Sequence, residues 1–112
     1  MAASASEPVA KVVWRSRAVR HLQEIHDYLQ QRNPVAADNY VVGLSDACLD
    51  LGTFPEKARS YSKEYRALVF RNHLVFYRHD RDRDIVIISA ILDGRRDIKE
   101  LLQLLSKNGH PH

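Results

Sequence analysis

Residues 85–92, Ile-Val-Ile-Ile-Ser-Ala-Ile-Leu, are the longest apolar run in the chain and show no alternation of polar and apolar positions. A run of this length, rich in β-branched residues and preceded by the polar Asp80-Arg81-Asp82-Arg83-Asp84, predicts a strand covered on both faces that follows a turn. Upstream, Tyr65 to Phe70 and His73 to Arg78 predict two more strands joined tightly through Arg71-Asn72, which gives a three-stranded antiparallel meander. Such a sheet needs a covering layer, and the first half of the chain supplies one. After a short β-prone segment, Lys11 to Arg15, Ser16 is placed to cap a helix in which Ala18, Leu22, Ile25 and Leu29 form one stripe. Asn33-Pro34 closes that helix and opens the next, with Asn33 as N-cap and Pro34 at the first helical position. In the second helix the inner stripe is Ala37, Tyr40, Val41, Leu44, Cys48 and Leu51, with Gly52 and Pro55 as the stop. The two stripes form an αα-hairpin that covers one face of the sheet. Thr53 to Lys63 reads as an exposed connection.

The expected fold is therefore α+β, of order β-α-α-β-β-β, an antiparallel meander covered by an αα-hairpin with a C-terminal helical tail. The tail is drawn from Ile98, Leu101, Leu102 and Leu105, which lie at helical spacing. At 112 residues there is one domain, expected over 11–105, with flexible tails at 1–10 and 106–112. The first ten residues lack the basic start and apolar core of a secretory signal, and charges interrupt every candidate membrane span. With 45% hydrophobic and 28% charged residues the composition is that of a folded soluble protein, so general disorder is excluded. The single Cys48 has no partner for an internal disulfide and sits on an inner stripe, which fits a buried thiol in a reducing cytoplasm.

Charge changes the picture because it is uneven. Up to Glu56 five Lys/Arg stand against seven Asp/Glu, whereas from Lys57 onward twelve stand against seven. Between Lys57 and His79 the bases Lys57, Arg59, Lys63, Arg66, Arg71 and Arg78 face only Glu64, a surface suited to nucleic acid or to an acidic protein. Arg66 and Arg78 are expected on one face of neighbouring strands, with Arg95 and Arg96 following the buried strand and Asp93 and Asp97 orienting them. His73 and His79 flank the third strand as exposed strand-end histidines or as proton donors. No cofactor is expected, since the four glycines are scattered and form no phosphate loop, and no metal, since His21 and His26 lie on different helix faces.

Taken in order, several motifs resemble the ParE branch of the ParE/RelE toxins. They are a strand ending in Trp14, the helix pattern Ala18, Leu22, Ile25, Tyr28, then Asn33-Pro34 with Ala36-Ala37, and Leu51 with Phe54-Pro55. Tyr65-Arg66, His73 to Arg78 and Gly94-Arg95-Arg96-Asp97 complete the set. The resemblance implies a cytoplasmic bacterial toxin neutralised by a cognate antitoxin and acting in a type II toxin–antitoxin system of the plasmid-stabilisation kind. ParE-like members act on DNA gyrase and block replication, as binders more than enzymes; RelE-like members cleave mRNA on the ribosome with converging basic groups. The RelE pattern is broken here, with Leu68 and Leu74 where bases are expected and no tyrosine after Tyr77. Asp93 stands where ParE-like members usually carry a histidine. Gyrase inhibition is the preferred expectation. An endoribonuclease rebuilt from Arg66, His79 and Arg95 is the alternative, and a non-toxic protein-binding module is the third. The expected contacts for target or antitoxin are Arg66, Arg78, Arg95, Arg96, Ile98, Leu101, Leu102 and Leu105, with direct nucleic-acid binding left open.

Overall fold

The computed structural model describes residues 9–95. The expected C-terminal helix, Arg96, Asp97, Ile98, Leu101, Leu102 and Leu105, together with the tails beyond residues 9 and 105, lie outside the described residues. The elements are β1 (Lys11–Trp14), α1 (Ser16–Gln30), α2 (Pro34–Asp50), β2 (Arg59–Ser60), β3 (Arg66–Phe70), β4 (His73–Asp80) and β5 (Ile85–Asp93). They form one five-stranded sheet of order β1-β5-β4-β3-β2, antiparallel except for the parallel pair β1·β5. The α+β fold with its helical hairpin and meander is as the pattern predicts. The two-residue β2 is an addition inside the segment expected to be a plain connection.

Inner-stripe residues account for the packing. Ala18, Leu44, Cys48 and Leu51 of the helices bury against Val75, Tyr77, Val86, Ile88 and Ile91 of the sheet, with Val12, Trp14, Leu22 and Ile25 at the margin. Each fully buried large aliphatic side chain contributes about 1.5 to 3 kcal/mol. On the other face Tyr65, Ala67, Phe76 and Ala90 make a smaller cluster, so β5 is buried on both sides as its unbroken apolar run requires. Phe76 pairs with Ala90 but Tyr77 pairs with Ile88, which leaves Ser89 as an extra residue in β5 and bends the strand there.

Two cap expectations are corrected. Ser16 is the first helical residue rather than the cap, which is Arg15 and makes no side-chain cap bond. Gly52 does not take the left-handed conformation of a helix C-cap, since no described glycine has positive φ. Its requirement is close approach: a Cβ there would lie 2.5 Å from the Ala10 carbonyl oxygen. The Ala10 N–H in turn donates to the Gly52 carbonyl at 2.9 Å, clasping the segment before β1 to the end of α2. Asn33 does cap α2, accepting from the Ala36 N–H at 3.1 Å, with Pro34 in its first turn. The β3–β4 connection is the tight Arg71-Asn72 turn, with Arg71 at φ 53°.

Candidate functional site

The register divides the basic residues into two groups at opposite ends of the sheet. Arg66 pairs with Tyr77, whose side chain faces the helices, so Arg66 lies on the helix side and Arg78, next to Tyr77, on the other. The expectation that these two arginines share a face is thus wrong by one residue of phase. They still border one open cavity of about 190 Å³ at this end of the sheet, with Ser62, Lys63, His79 and Arg81.

Most of this end is tied to the loop after α2. The Arg66 Nη1 donates to the Ala58 carbonyl at 2.8 Å and to that of Glu56 at 3.4 Å. The Glu56 carboxylate pairs with Arg81 and, at 3.9 Å, with Arg66. The buried Tyr77 hydroxyl donates to the Pro55 carbonyl at 2.7 Å, and burial pushes its pKa up. Arg66 is therefore a brace for the loop. His79 meets Asp84 through Nε2 at 3.2 Å, while its Nδ1 is buried without a hydrogen-bond partner. Arg78 makes no ion pair or hydrogen bond among the described residues.

The second group sits where β3 turns into β4 and β5 ends. Tyr40 of α2 reaches the turn, its hydroxyl 2.5 Å from His73 Nδ1 and 3.4 Å from the Phe70 carbonyl. Its ring packs edge-on against Phe70 and His73. The Arg71 guanidinium lies over the Tyr40 and Phe70 rings, 5.7 and 5.5 Å from their centroids. Asp93 chelates Arg95, accepting from its backbone N–H at 2.9 Å and its guanidinium at 3.0 and 3.2 Å. These bonds hold the Asp93 carboxyl down at about 2. Burial lowers the pKa of His73, against the Asp93 charge that raises it, and burial raises that of Tyr40. An open cavity of about 320 Å³ is lined here by Val69, Arg71, Asn72, His73, Leu74, Gly94 and Arg95.

The proposed grouping of Arg66, His79 and Arg95 is not assembled. Tyr77 lies opposite both Arg66 and Ile88, and from Ile88 to Asp93 the strand runs on for roughly 17 Å at about 3.3 Å per residue. Sequence reasoning missed the partners that the structure gives His73 instead. Tyr40 was read as core, and Arg71 only as a turn residue in a basic stretch. The tight turn after Phe70 was the available signal for Arg71 beside His73; no local signal brings Tyr40 there from α2.

The family model described as the ParE toxin of type II toxin–antitoxin system, parDE, matches residues 12–98, a span that contains both basic ends. The chain belongs to the ParE toxin family. This ParE-family chain is 38% identical over 61 residues to Toxin RelE2 of Caulobacter vibrioides, a stretch covering 54% of this chain and 69% of that protein. Its fold resembles a chain of the chromosomal ParDE toxin–antitoxin system of P. aeruginosa, with TM-score 0.67 and 18% identity over 76% of this chain and 96% of that one. It also resembles a chain of the RelBE2 toxin–antitoxin complex of Mycobacterium tuberculosis, with TM-score 0.58 and 13% identity over 79% and 94% of the two chains. At such identities the two structures speak to the fold, and the family match to a type II toxin.

Proposed function

We propose that this toxin acts by binding DNA gyrase and blocking replication, with a cognate antitoxin holding it inactive in the cytoplasm. The observation that supports this reading is the separation of Arg66 and His79 from Arg95 along the sheet, with Arg66 and Arg95 each held by neighbours of their own chain. General acid–base cleavage of RNA needs proton-transfer groups within hydrogen-bond reach of one phosphodiester. A binder needs only charge and shape at its surface, which the exposed Arg71 and Arg95, together with Arg78, offer. The test is expression without antitoxin with parallel pulse-labelling of DNA and protein synthesis, and a gyrase supercoiling assay on purified protein. Early arrest of DNA synthesis with inhibited supercoiling is the expected outcome; early arrest of translation with mRNA cut would overturn it.

One arrangement favours a second reading, ribosome-dependent mRNA cleavage. His73, held by Tyr40 and flanked by Arg71 and Arg95, borders a cavity open to solvent. A neutral imidazole beside two guanidiniums is chemistry suited to a phosphodiester. Under that reading His73→Ala removes RNA cleavage and toxicity together, whereas gyrase inhibition by the same variant would exclude it.

A further inference from the structure

The end of the sheet where β3 starts and β4 finishes gathers more positive charge than the acids beside it neutralise. Its open cavity of about 190 Å³ is lined by Lys63, Arg66, Arg78 and Arg81 against Glu56 and Glu64. The carboxylates around it are committed to other cations, Glu56 to Arg81, Asp84 to His79 and Asp80 to Arg83. Arg66 is committed too, through the Ala58 carbonyl. Lys63 and Arg78 are left without an ion pair or hydrogen bond among the described residues. Arg78 is half-buried in β4, so its charge is partly withdrawn from water with no such partner to replace the lost hydration. An anion in the cavity supplies one.

The donors favour one class of anion. Ser62 and Lys63 come from the turn between β2 and β3, and Arg78 from β4, so they reach the cavity from separate segments of the chain. Ser62 Oγ accepts the Tyr65 N–H at 3.2 Å, which leaves its own proton to be donated. A guanidinium, an ammonium and a hydroxyl together match the several oxygens of a tetrahedral phosphate, whereas the two oxygens of a carboxylate are satisfied by one guanidinium fork. The rings on the wall, Tyr65 and His79, are mostly buried and offer no open face on which a base could stack.

We infer that this cavity is a phosphate-binding site in which Arg78, Lys63 and the Ser62 hydroxyl hold the phosphate oxygens, blind to the base attached. The phosphate belongs either to a free nucleotide or to a nucleic-acid backbone, and the inference does not depend on what the toxin targets. The test is titration of the full-length chain at low salt with inorganic phosphate, a mononucleotide and a short single-stranded DNA of mixed sequence, read by amide chemical shifts and, for the DNA, by fluorescence anisotropy. Wild type is compared with Arg78→Gln, Arg78→Lys, Lys63→Gln and Ser62→Ala. Arg83→Gln is the control, since it removes the same charge from an exposed position outside the cavity. Thermal melting checks that each variant folds, and Lys63→Gln, at an exposed turn position, carries the test if Arg78→Gln does not. Phosphate is expected to shift the amides of Ser62, Lys63 and Arg78. Arg78→Gln is expected to weaken binding about tenfold and Lys63→Gln and Ser62→Ala severalfold, with Arg78→Lys intermediate and Arg83→Gln at wild-type affinity. DNA binding that is lost in the same variants and displaced by phosphate supports the site and identifies the backbone as the source. Binding of phosphate and mononucleotide but not of DNA supports it with a free nucleotide as the source. Absent phosphate shifts, or an equal loss of binding in Arg83→Gln, overturn the site, and acetate bound as tightly as phosphate overturns the choice of anion.

Discussion

Gly52 shows how much can depend on one absent methyl group. With the Ala10 carbonyl 2.5 Å from the position of a Cβ, Gly52→Ala forces the backbone of the N-terminal segment to move and strains the Ala10–Gly52 hydrogen bond. A loss of about 1 to 3 kcal/mol is expected in urea unfolding, and an unchanged midpoint would show that the clasp yields freely. The sequence marks Gly52 as a stop for α2 but not the reason for it, because the crossing chain comes from forty-two residues earlier. Protonation has a comparable residue-scale signature. Burial lowers the pKa values of His21 and His73 below 6.5 in the folded chain, so the unfolded chain binds more protons in that window. Stability contributed by the neutral rings is complete above pH 6.5 and falls as the pH drops through the folded values. Urea midpoints measured across this range should therefore decline on acidification, and less steeply in the His21→Gln, His73→Gln double variant. Asp93 behaves differently: with its carboxyl at about 2, its pairing with Arg95 survives below the usual 3.8 and is lost only as the pH approaches 2.

At the scale of elements, the instructive part is the edge of β5. Strand β1 covers β5 only from Ile85 to Ile88, and beyond that point the strand's outer edge is met by a helix. The Arg17 Nε donates to the Ser89 carbonyl at 3.2 Å, and His21 Nδ1 accepts from the Ile91 N–H at 3.1 Å. These side chains stand four residues apart on α1 and so on one side of it, and they satisfy backbone groups that the short β1 cannot reach. His21→Ala leaves the Ile91 N–H without its acceptor, and a loss of about 1 to 3 kcal/mol with faster amide exchange at Ile91 is expected. None of this was legible beforehand, since a histidine on an amphipathic helix carries no mark of the strand it serves. The inner stripes, Asn33-Pro34 and the tight Arg71-Asn72 turn were legible because each is a local signal of spacing or conformation. Strand β2 was not, since two residues are too few for any periodicity, and it exists because β3 offers it an edge.

For the whole molecule, the decisive fact is that Arg66 and Arg78 stand at one end of the sheet and Arg71 and Arg95 at the other. Arg66→Ala removes a brace between the sheet and the loop after α2, so it is expected to lower stability by about 1 to 3 kcal/mol in urea unfolding. Charge reversal at Arg95 and Arg96 is expected instead to abolish growth arrest while leaving the melting temperature of the domain unchanged. Retained arrest in the double variant would move the target contact away from that end. The location of Arg66 and Arg78 on opposite faces was beyond the reach of the sequence, because their relation depends on pairing register rather than on spacing. The parallel pairing of β1 with β5 carries a consequence for synthesis. Lys11 meets Ile85, so a nascent chain has made both helices and most of the sheet before its first strand has anywhere to go. Long-range closures of this kind come late in folding. The helical hairpin can therefore form before the sheet closes, and the domain is complete only after β5 has emerged.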